Sequence, residues 1–262
     1  MKKTILALML GLLLTGCASN VENNVDSDTD STSTEVTQKD SEADDNEEKN
    51  NDSTSLPRMN PYTADDNGYC ADFDVVKFGS YEQDGDESNG TEAIEWYVIA
   101  KEDGKALLLS KYILDEKEYN HETTEDITWE NCELRVWLNN DFYNNAFNKD
   151  EKTCIKTTTV VNEDNLTYQT NAGQDTKDSV YLLSIDEVNT YSDSILLAEN
   201  TAYVTSKYAL DSDAYISWWL RSPGNTVRYA AVVDSEGAVS DYGSFVNSTD
   251  VGVRPVIKVD YA

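Results

Sequence analysis

Histidine is the residue this sequence most nearly lacks, and its scarcity limits the chemistry open to the chain. His121 is the only histidine among 262 residues, and it lies in a polar stretch at 120–124. Sites that hold a metal through several histidines are therefore excluded, and a Ser-His-Asp triad could use only this imidazole. Its polar neighbours predict a solvated loop. We expect no catalytic residue, no metal ligand and no cofactor.

Basic residues are the second shortage. The chain has 20 lysines and arginines against 50 aspartates and glutamates, which gives a formal net charge of -30. Such a chain is repelled by nucleic acid and by anionic lipid or wall polymers, so we expect no nucleic-acid partner. The charge also keeps an exposed protein soluble, while cationic partners and divalent cations stay open.

The first seventeen residues carry the clearest positive signal. Lys2 and Lys3 precede an apolar run at 5–14, and small residues then lead into Cys17. This run is too short for a stable transmembrane helix and is typical of a secretory signal. Its Leu-Thr-Gly-Cys end resembles a bacterial lipobox, in which lipid is attached to the cysteine and the chain is cut before it. The resemblance implies that residues 1–17 are a lipoprotein signal peptide and that lipid on Cys17 is the membrane anchor, facing outside the cytoplasm. A plain cleaved signal peptide is the alternative.

Composition divides the rest of the chain in two. Residues 18–58 are mainly Ser, Thr, Asn, Asp and Glu, a mixture that cannot bury enough apolar surface to order itself. We expect an acidic, disordered tether there. Residues 59–262 have the composition of a folded chain and are numerous enough for a single globular domain with one core.

Local patterns predict an α+β domain. Alternation of Ile94, Trp96 and Val98 indicates a half-buried strand, and Asp103-Gly104 after it indicates a hairpin turn. The other predicted strands are 74–79, 106–109, 157–161, 180–183, 218–221, 229–233, 238–239 and a closing edge or near-edge strand through Val253, Ile257 and Val259. Predicted helices begin after Thr128, after Asn148 and after Ser184, where polar side chains can cap them.

Three cysteines remain if Cys17 carries lipid, and all three cannot pair within one chain. Outside the cytoplasm a disulfide can persist. Cys132 and Cys154 flank a predicted helical segment, so we predict a disulfide between them, with Cys70 left over.

Several segments together resemble a bacterial domain-of-unknown-function family found in secreted and lipid-anchored proteins. The resemblance covers roughly residues 73–260 and is most specific at Trp218–Gly224, read WWLRSPG, and at Gly252–Pro255, read GVRP. The pattern is similar to the C-type-lectin-like fold, which surface adhesins and sulfatase-modifying enzymes also use. It implies a twisted antiparallel sheet with two to four short helices, and no activity. Cys132 stands where the family usually has serine, so a disulfide would be particular to this chain.

Two metal chemistries fit the sequence poorly. Formylglycine-generating enzymes of the similar fold bind copper through two thiolates in the C-terminal part, whereas this chain has no cysteine after Cys154. Oxygen side chains alternate from Asp84 towards Glu95, as in a calcium loop, but Asn89 replaces the required glycine and Glu95 falls in a predicted strand. We therefore expect an acidic hairpin loop there.

The candidate ligand contacts are Trp219, Arg221 and Tyr242. Strand alternation places Trp218 and Leu220 on one face and Trp219 and Arg221 on the other, so one tryptophan could be partly exposed beside the adjacent loops. The competing interpretation is that the arginine is buried and fixes a loop. The leading hypothesis is a non-catalytic binding module for a glycan, a peptide or a protein. The alternatives are an envelope hydrolase or transferase using paired carboxylates, and a purely structural envelope protein.

Overall fold

The computed structural model describes residues 58–60, 73–123, 126–191, 195–211 and 214–261, with backbone only at 58–60. The predicted signal peptide, the Cys17 predicted to carry lipid, nearly all of the predicted tether and Cys70, predicted to be left over, lie outside the described residues. No helix in the described ranges is both long and apolar enough to cross a membrane.

Short strands make up most of the regular structure. In chain order they are β1 Arg58–Asn60, β2 Val75–Tyr81, β3 Glu92–Glu102, β4 Lys105–Ser110, β5 Asp115–Glu116, β6 Thr158–Val160, β7 Thr176–Asp178, β8 Val180–Tyr181, β9 Trp218–Pro223, β10 Tyr229–Val233, β11 Val239–Phe245, β12 Gly252–Val253 and β13 Val256–Asp260.

These strands form three sheets. The first has the order β1-β2-β3-β4-β13-β8, the second has the order β11-β10-β9-β12-β5, and β6 pairs with β7 alone. The pairing is antiparallel except between β12 and β9. The closing strand was predicted to run through Val253, but Val253 belongs to β12 of the second sheet. The remainder, β13, lies one place in from the end of the first sheet, which is the predicted near-edge position, and Pro255 precedes it, where its missing N–H removes no ladder bond.

Helices are few and short. They are α1 Glu133–Trp137, a π-helical turn Leu138–Phe142, α2 Tyr143–Ala146, α3 Lys149–Cys154, α4 Ile185–Val188 and α5 Ala202–Lys207. The chain is therefore a mixed α+β protein with mostly antiparallel sheets.

Local signals located three features correctly. Asp103 and Gly104 have φ of 50° and 70°, which suits the tight turn between β3 and β4. Asn148 caps α3 and Ser184 caps α4, each in a capping box completed by a glutamate three residues later. The prediction for Thr128 was wrong, because α1 begins later and the Sγ of Cys132 accepts the capping bond from Arg135 N.

The predicted Cys132–Cys154 disulfide is absent from the described residues. Both side chains are buried and no S–S bond joins them. The Cys132 Sγ lies 3.6 Å from the Trp129 carbonyl oxygen, whereas the Cys154 Sγ lies 3.7 Å from that of Asp150. Each thiol thus bonds to a carbonyl three or four residues before it in the chain, which corrects the pairing predicted from two cysteines that flank a helical segment.

One hydrophobic core joins the two larger sheets to α1. Trp96 of β3, Leu134 of α1 and Trp219 of β9 belong to a single buried cluster. The pair β6–β7 is attached to α1 through Asp178, which accepts from the Trp129 indole at 2.9 Å and pairs with Arg135 at 2.6 Å. This attachment fixes the base of the long segment between β6 and β7.

Candidate functional site

Both tryptophans of β9 are buried, which corrects the prediction that Trp219 contacts a ligand. Their facing directions do alternate, since Trp218 pairs with Val233 and Trp219 with Val232 in β10. However, both faces of this sheet are covered. The Trp218 indole donates to the Leu196 carbonyl at 2.9 Å, and the Trp219 indole donates to the Lys117 carbonyl at 2.8 Å while its ring packs on Tyr119. Trp219 therefore belongs to the core and not to a surface.

Arg221 is also buried, with 4% of its surface exposed, so its predicted ligand contact is corrected too. Its terminal nitrogens bond both carboxylate oxygens of Glu187. They also donate to the Leu182 carbonyl at 2.8 Å and to the Val161 carbonyl at 3.0 Å. Arg221 thus joins the end of β6 to α4. This is the loop-fixing role that was its competing interpretation.

The segment between β6 and β7 is held against the end of β9 by Asn165. This buried amide donates to the carbonyls of Pro223 at 2.9 Å and Asp241 at 2.8 Å. Its Oδ1 accepts from the backbone N–H groups of Thr167 and Tyr168, which forms an Asx turn. The turn presents Leu166 with 88% of its surface exposed. A fixed loop therefore displays an apolar side chain in solvent.

A bulge in β11 places Asp241 and Tyr242. Ala230 and Val232 of β10 pair with Ser244 and Ser240, so β11 advances four residues where β10 advances two. Gly243 makes this possible, because its φ is +81° and a Cβ there would lie 2.2 Å from the Ala230 carbonyl oxygen. Tyr242 is 49% exposed, so this predicted contact does lie at the surface.

Four aromatic side chains form a continuous row, here called the aromatic rim. The rings of Tyr168 and Tyr242 meet edge to face at 6.0 Å between centroids. Tyr242 meets Tyr229 at 5.5 Å, and Tyr229 meets Phe245 at 4.7 Å, with similar geometry. Such pairs are mutually stabilising and keep the ring positions defined.

Beside the rim lies a cleft of about 610 Å³, here called the acidic cleft. Its walls come from the β6–β7 segment, the start of α4, the end of β9 and the β11 bulge: Asn162, Glu163, Asp164, Asn165, Leu166, Thr167, Ser184, Ile185, Asp186, Ser222 and Asp241. A hydrogen bond and charge repulsion from the Asp186 carboxyl raise the pKa of Glu163. Glu163 and Asp186 are thus an interacting pair of acids in the cleft.

The acidic loop after β2 contains a second cluster of carboxylates. Oxygens of Glu82, Asp84 and Glu92 lie within 4.8 Å of one another. Glu92 accepts from the Gln83 N–H, and Asp84 accepts from the Asp86 N–H and the Asn89 amide, so these oxygens shape the loop. Glu95 is not part of the cluster but pairs with Lys111 at 2.9 Å. These carboxylates lie in and beside the loop that joins β2 to β3, so the predicted position of an acidic hairpin loop is confirmed.

Sequence reasoning missed the acidic cleft and Leu166. The polar stretch at 162–175 lies between two predicted strands, as a loop would, and Asn165 before Leu166 is a turn signal. No local pattern brings that loop to Asp241, however, because the contact spans 76 positions of the chain. His121, in contrast, is exposed and bonds Glu118, as the solvated-loop prediction required.

A family model described as Domain of unknown function (DUF6273) matches residues 103–261. The match spans more than half of the chain, so the chain belongs to this family. It includes the β6–β7 segment, β9 and β11, and therefore the whole acidic cleft. No curated protein and no solved structure matches the chain.

Proposed function

We propose that this member of the DUF6273 family is a lipid-anchored surface protein outside the cytoplasm, whose folded domain is a non-catalytic binding module for a glycan, a peptide or a protein. The observation that carries the proposal is the aromatic rim beside the acidic cleft, which the exposed Leu166 helps to line. Aromatic faces stack on sugars and on peptide side chains, while carboxylates accept from hydroxyl and amine donors.

The residues behind this surface support it. Asn165 and Arg221 hold two sides of the cleft with buried hydrogen bonds to backbone carbonyls. A binding surface that is already ordered loses little conformational entropy when a ligand arrives. In this proposal Tyr242 contacts the ligand, whereas Arg221 and Trp219 act only as its framework.

The anchoring part of the proposal rests on the sequence of residues 1–58. Lipid on Cys17 attaches the protein to the membrane, and the acidic tether separates the domain from that surface. More than one acyl chain is needed for stable anchoring, as a lipoprotein cysteine would supply. We also propose that the sheets form a C-type-lectin-like fold, which places ligand-binding loops at one end of the domain.

The test is a binding screen with the purified full-length chain in detergent, against a glycan array and a panel of peptides of differing charge. We expect saturable binding by at least one glycan or peptide class. Leu166→Ala and Tyr242→Ala should each weaken that binding by about 5- to 30-fold, as loss of 1–2 kcal/mol of contact implies.

Leu197→Ala is the matched control, because Leu197 is 40% exposed but lies by the turn at Gly237, at the other end of the β10–β11 hairpin from the rim. It should leave affinity unchanged. Equal losses from the control and the two site variants would contradict the assignment of the surface, and a screen without saturable binding would favour a structural envelope protein.

The pair Glu163 and Asp186 favours one second candidate, a hydrolase or transferase. A carboxyl whose pKa is raised by its neighbour can donate a proton while the other stays ionised, as two-carboxylate mechanisms need. Turnover of a glycan or peptide that disappears in both Glu163→Gln and Asp186→Asn would establish this function. Binding without turnover supports the module.

A further inference from the structure

A second cleft, here called the Trp137 cleft, shares no residue with the acidic cleft. It has a volume of about 370 Å³ and is lined in part by the end of β5, the residues that follow it and α1. Its lining residues are Glu116, Lys117, Glu118, Glu133, Leu134, Trp137, Tyr208 and Thr249. Three of these are carboxylates and two are aromatic.

Glu116 is the unusual member of this lining. Only 3% of its surface is exposed, and its Oε1 has no hydrogen-bond partner among the described residues. Its neighbour Asp115 is equally buried but well satisfied, because Lys207 Nζ lies 2.9 Å and the Tyr81 hydroxyl 2.8 Å from its oxygens. A buried carboxylate without such a partner is costly, so Glu116 is the group here that a cation would stabilise.

The aromatic wall already holds a cation from the chain itself. Lys117 Nζ lies 4.5 Å from the centre of the Trp137 ring and 3.7 Å from a carboxylate oxygen of Asp115. All five tryptophans lie in the described ranges, and among them Trp137 is the one that is not fully buried. The ring face and the nearby carboxylates therefore suit an ammonium group.

We propose that the Trp137 cleft binds a primary ammonium group on a short alkyl chain, either a free amine or the lysine side chain of another polypeptide. The ligand's ammonium displaces Lys117 from the Trp137 ring and lies against the Glu116 carboxylate. Glu118 and Glu133 add negative charge at the cleft, and Leu134 offers apolar surface to the alkyl stem. This site is independent of the proposed function at the acidic cleft.

The primary test uses full-length protein in detergent and follows the indole N–H signal of Trp137 by NMR. We expect n-butylammonium to shift this signal saturably with a dissociation constant of roughly 1–10 mM, a range typical of so small a ligand. Neutral n-butanol should not shift the indole signal. Acetyl-Gly-Lys-Gly-amide is the second arm: tighter binding of the peptide assigns a lysine side chain, and tighter binding of the free amine assigns a small molecule. Absence of saturable binding by either cation overturns the proposal.

Lys117→Met separates the proposal from a general loss of structure, because it should increase affinity. Removing the internal competitor frees the ring face, and we expect n-butylammonium to bind about 3- to 10-fold tighter. Lys149→Met, at an exposed position on α3, is the matched control and should change nothing. Glu116→Gln should weaken binding at least about 3-fold, in line with loss of a charge-assisted contact. Unchanged or weaker binding by Lys117→Met contradicts the displacement.

The pH profile gives a further readout. Burial and the charges of Asp250 and Asp115 raise the pKa of Glu116 to about 7, while Lys207 opposes them. Protonated Glu116 cannot pair with an ammonium, so affinity should rise up to about tenfold from pH 6 to pH 8. In Glu116→Gln most of this increase in affinity with pH should disappear. The other titratable groups that face the cleft, Glu118, Glu133 and Tyr208, should account for any increase that remains. An equally steep increase of affinity with pH in Glu116→Gln would show that Glu116 does not contact the ammonium group.

Discussion

The side-chain amide of Asn165 donates to the backbone carbonyl of Asp241 at 2.8 Å, and this bond joins the β6–β7 segment to the β11 bulge, two of the walls of the acidic cleft. The same amide holds Pro223, at the end of the WWLRSPG motif. The position of the exposed Leu166 thus depends on a buried side chain next to it.

Asn165→Ala should therefore release the loop. The carbonyls of Pro223 and Asp241 lose a buried donor, and the Asx turn loses its acceptor, so we expect a loss of about 2–3 kcal/mol in the free energy of unfolding. Hydrogen exchange should accelerate at residues 166–170 while β3 and β4 stay protected. Asn140→Ala, on an exposed asparagine, is the control. Uniform acceleration across the domain would contradict a local role.

Glu187→Gln should destabilise the domain by about 2–3 kcal/mol in urea unfolding. It leaves the buried guanidinium of Arg221 without its carboxylate, and removal of one partner from a buried ion pair is costly. The loss of stability should be smaller than for a fully buried ion pair, because about a third of the Glu187 side chain is exposed to solvent. Glu133→Gln, at an exposed position, should cost far less. A loss under about 0.5 kcal/mol would mean that the hydrogen bonds from Arg221 to backbone carbonyls are enough to stabilise the buried guanidinium.

Stability should depend on pH through Glu116. Its pKa is raised from 4.5 to about 7 in the folded protein, so the folded state holds a proton that the unfolded chain has already released. The stability contributed by this proton is present below about pH 4.5 and is lost as pH rises to about 7. Glu116→Gln should therefore be more stable than the native chain at pH 8 by on the order of 1–3 kcal/mol, with the difference shrinking towards pH 5. Parallel stability curves between pH 5 and 8 would contradict this.

Gly243→Ala tests the β11 bulge. Alanine at a positive φ costs about 1–2 kcal/mol, and here its Cβ would also collide with the Ala230 carbonyl. Gly104→Ala is a matched control, because its φ is +70° and nothing lies within 4 Å of the added Cβ. We expect Gly243→Ala to lose at least about 2 kcal/mol more than Gly104→Ala in thermal or urea unfolding. Equal losses would mean that the bulge can relax.

Cys132 should resist alkylation in the native protein. Burial raises the pKa of its thiol to about 12, so little nucleophilic thiolate exists at neutral pH. Iodoacetamide should label Cys132 in urea without any reductant, and peptide mapping by mass spectrometry detects the label. A Cys132–Cys154 cross-link in that map would restore the disulfide predicted from sequence.

Sequence predicted the features that a few neighbouring residues determine. The turn at Asp103-Gly104 and the cap at Asn148 depend only on local side-chain and backbone preferences. The burial of Trp219 is not determined locally, because it depends on Tyr119, a hundred positions away, which covers the second face of β9. Alternation predicted which face each tryptophan takes, but not that both faces are covered.

The candidate site shows the same limit. Tyr242 was predicted as a surface contact and is exposed, but its neighbours Tyr168 and Tyr229 come from separate parts of the chain. The bulge that turns it outward leaves one clear mark in the sequence, Gly243, and glycine alone does not distinguish a bulge from an ordinary turn. The Cys132–Cys154 pairing failed similarly, since spacing carries no information on the direction of each Sγ.

The β11 bulge also affects how readily one copy of the protein can pair with another through its sheet edge. In the sheet as described, β11 is the terminal strand, and a regular terminal strand offers a row of unpaired backbone groups to any neighbouring copy. The bulge interrupts that row at Asp241, Tyr242 and Gly243 and places a carboxylate there. Neighbouring copies would therefore find no continuous ladder to extend at this edge, and the same irregularity that shapes one wall of the acidic cleft also opposes self-association through strand addition at β11.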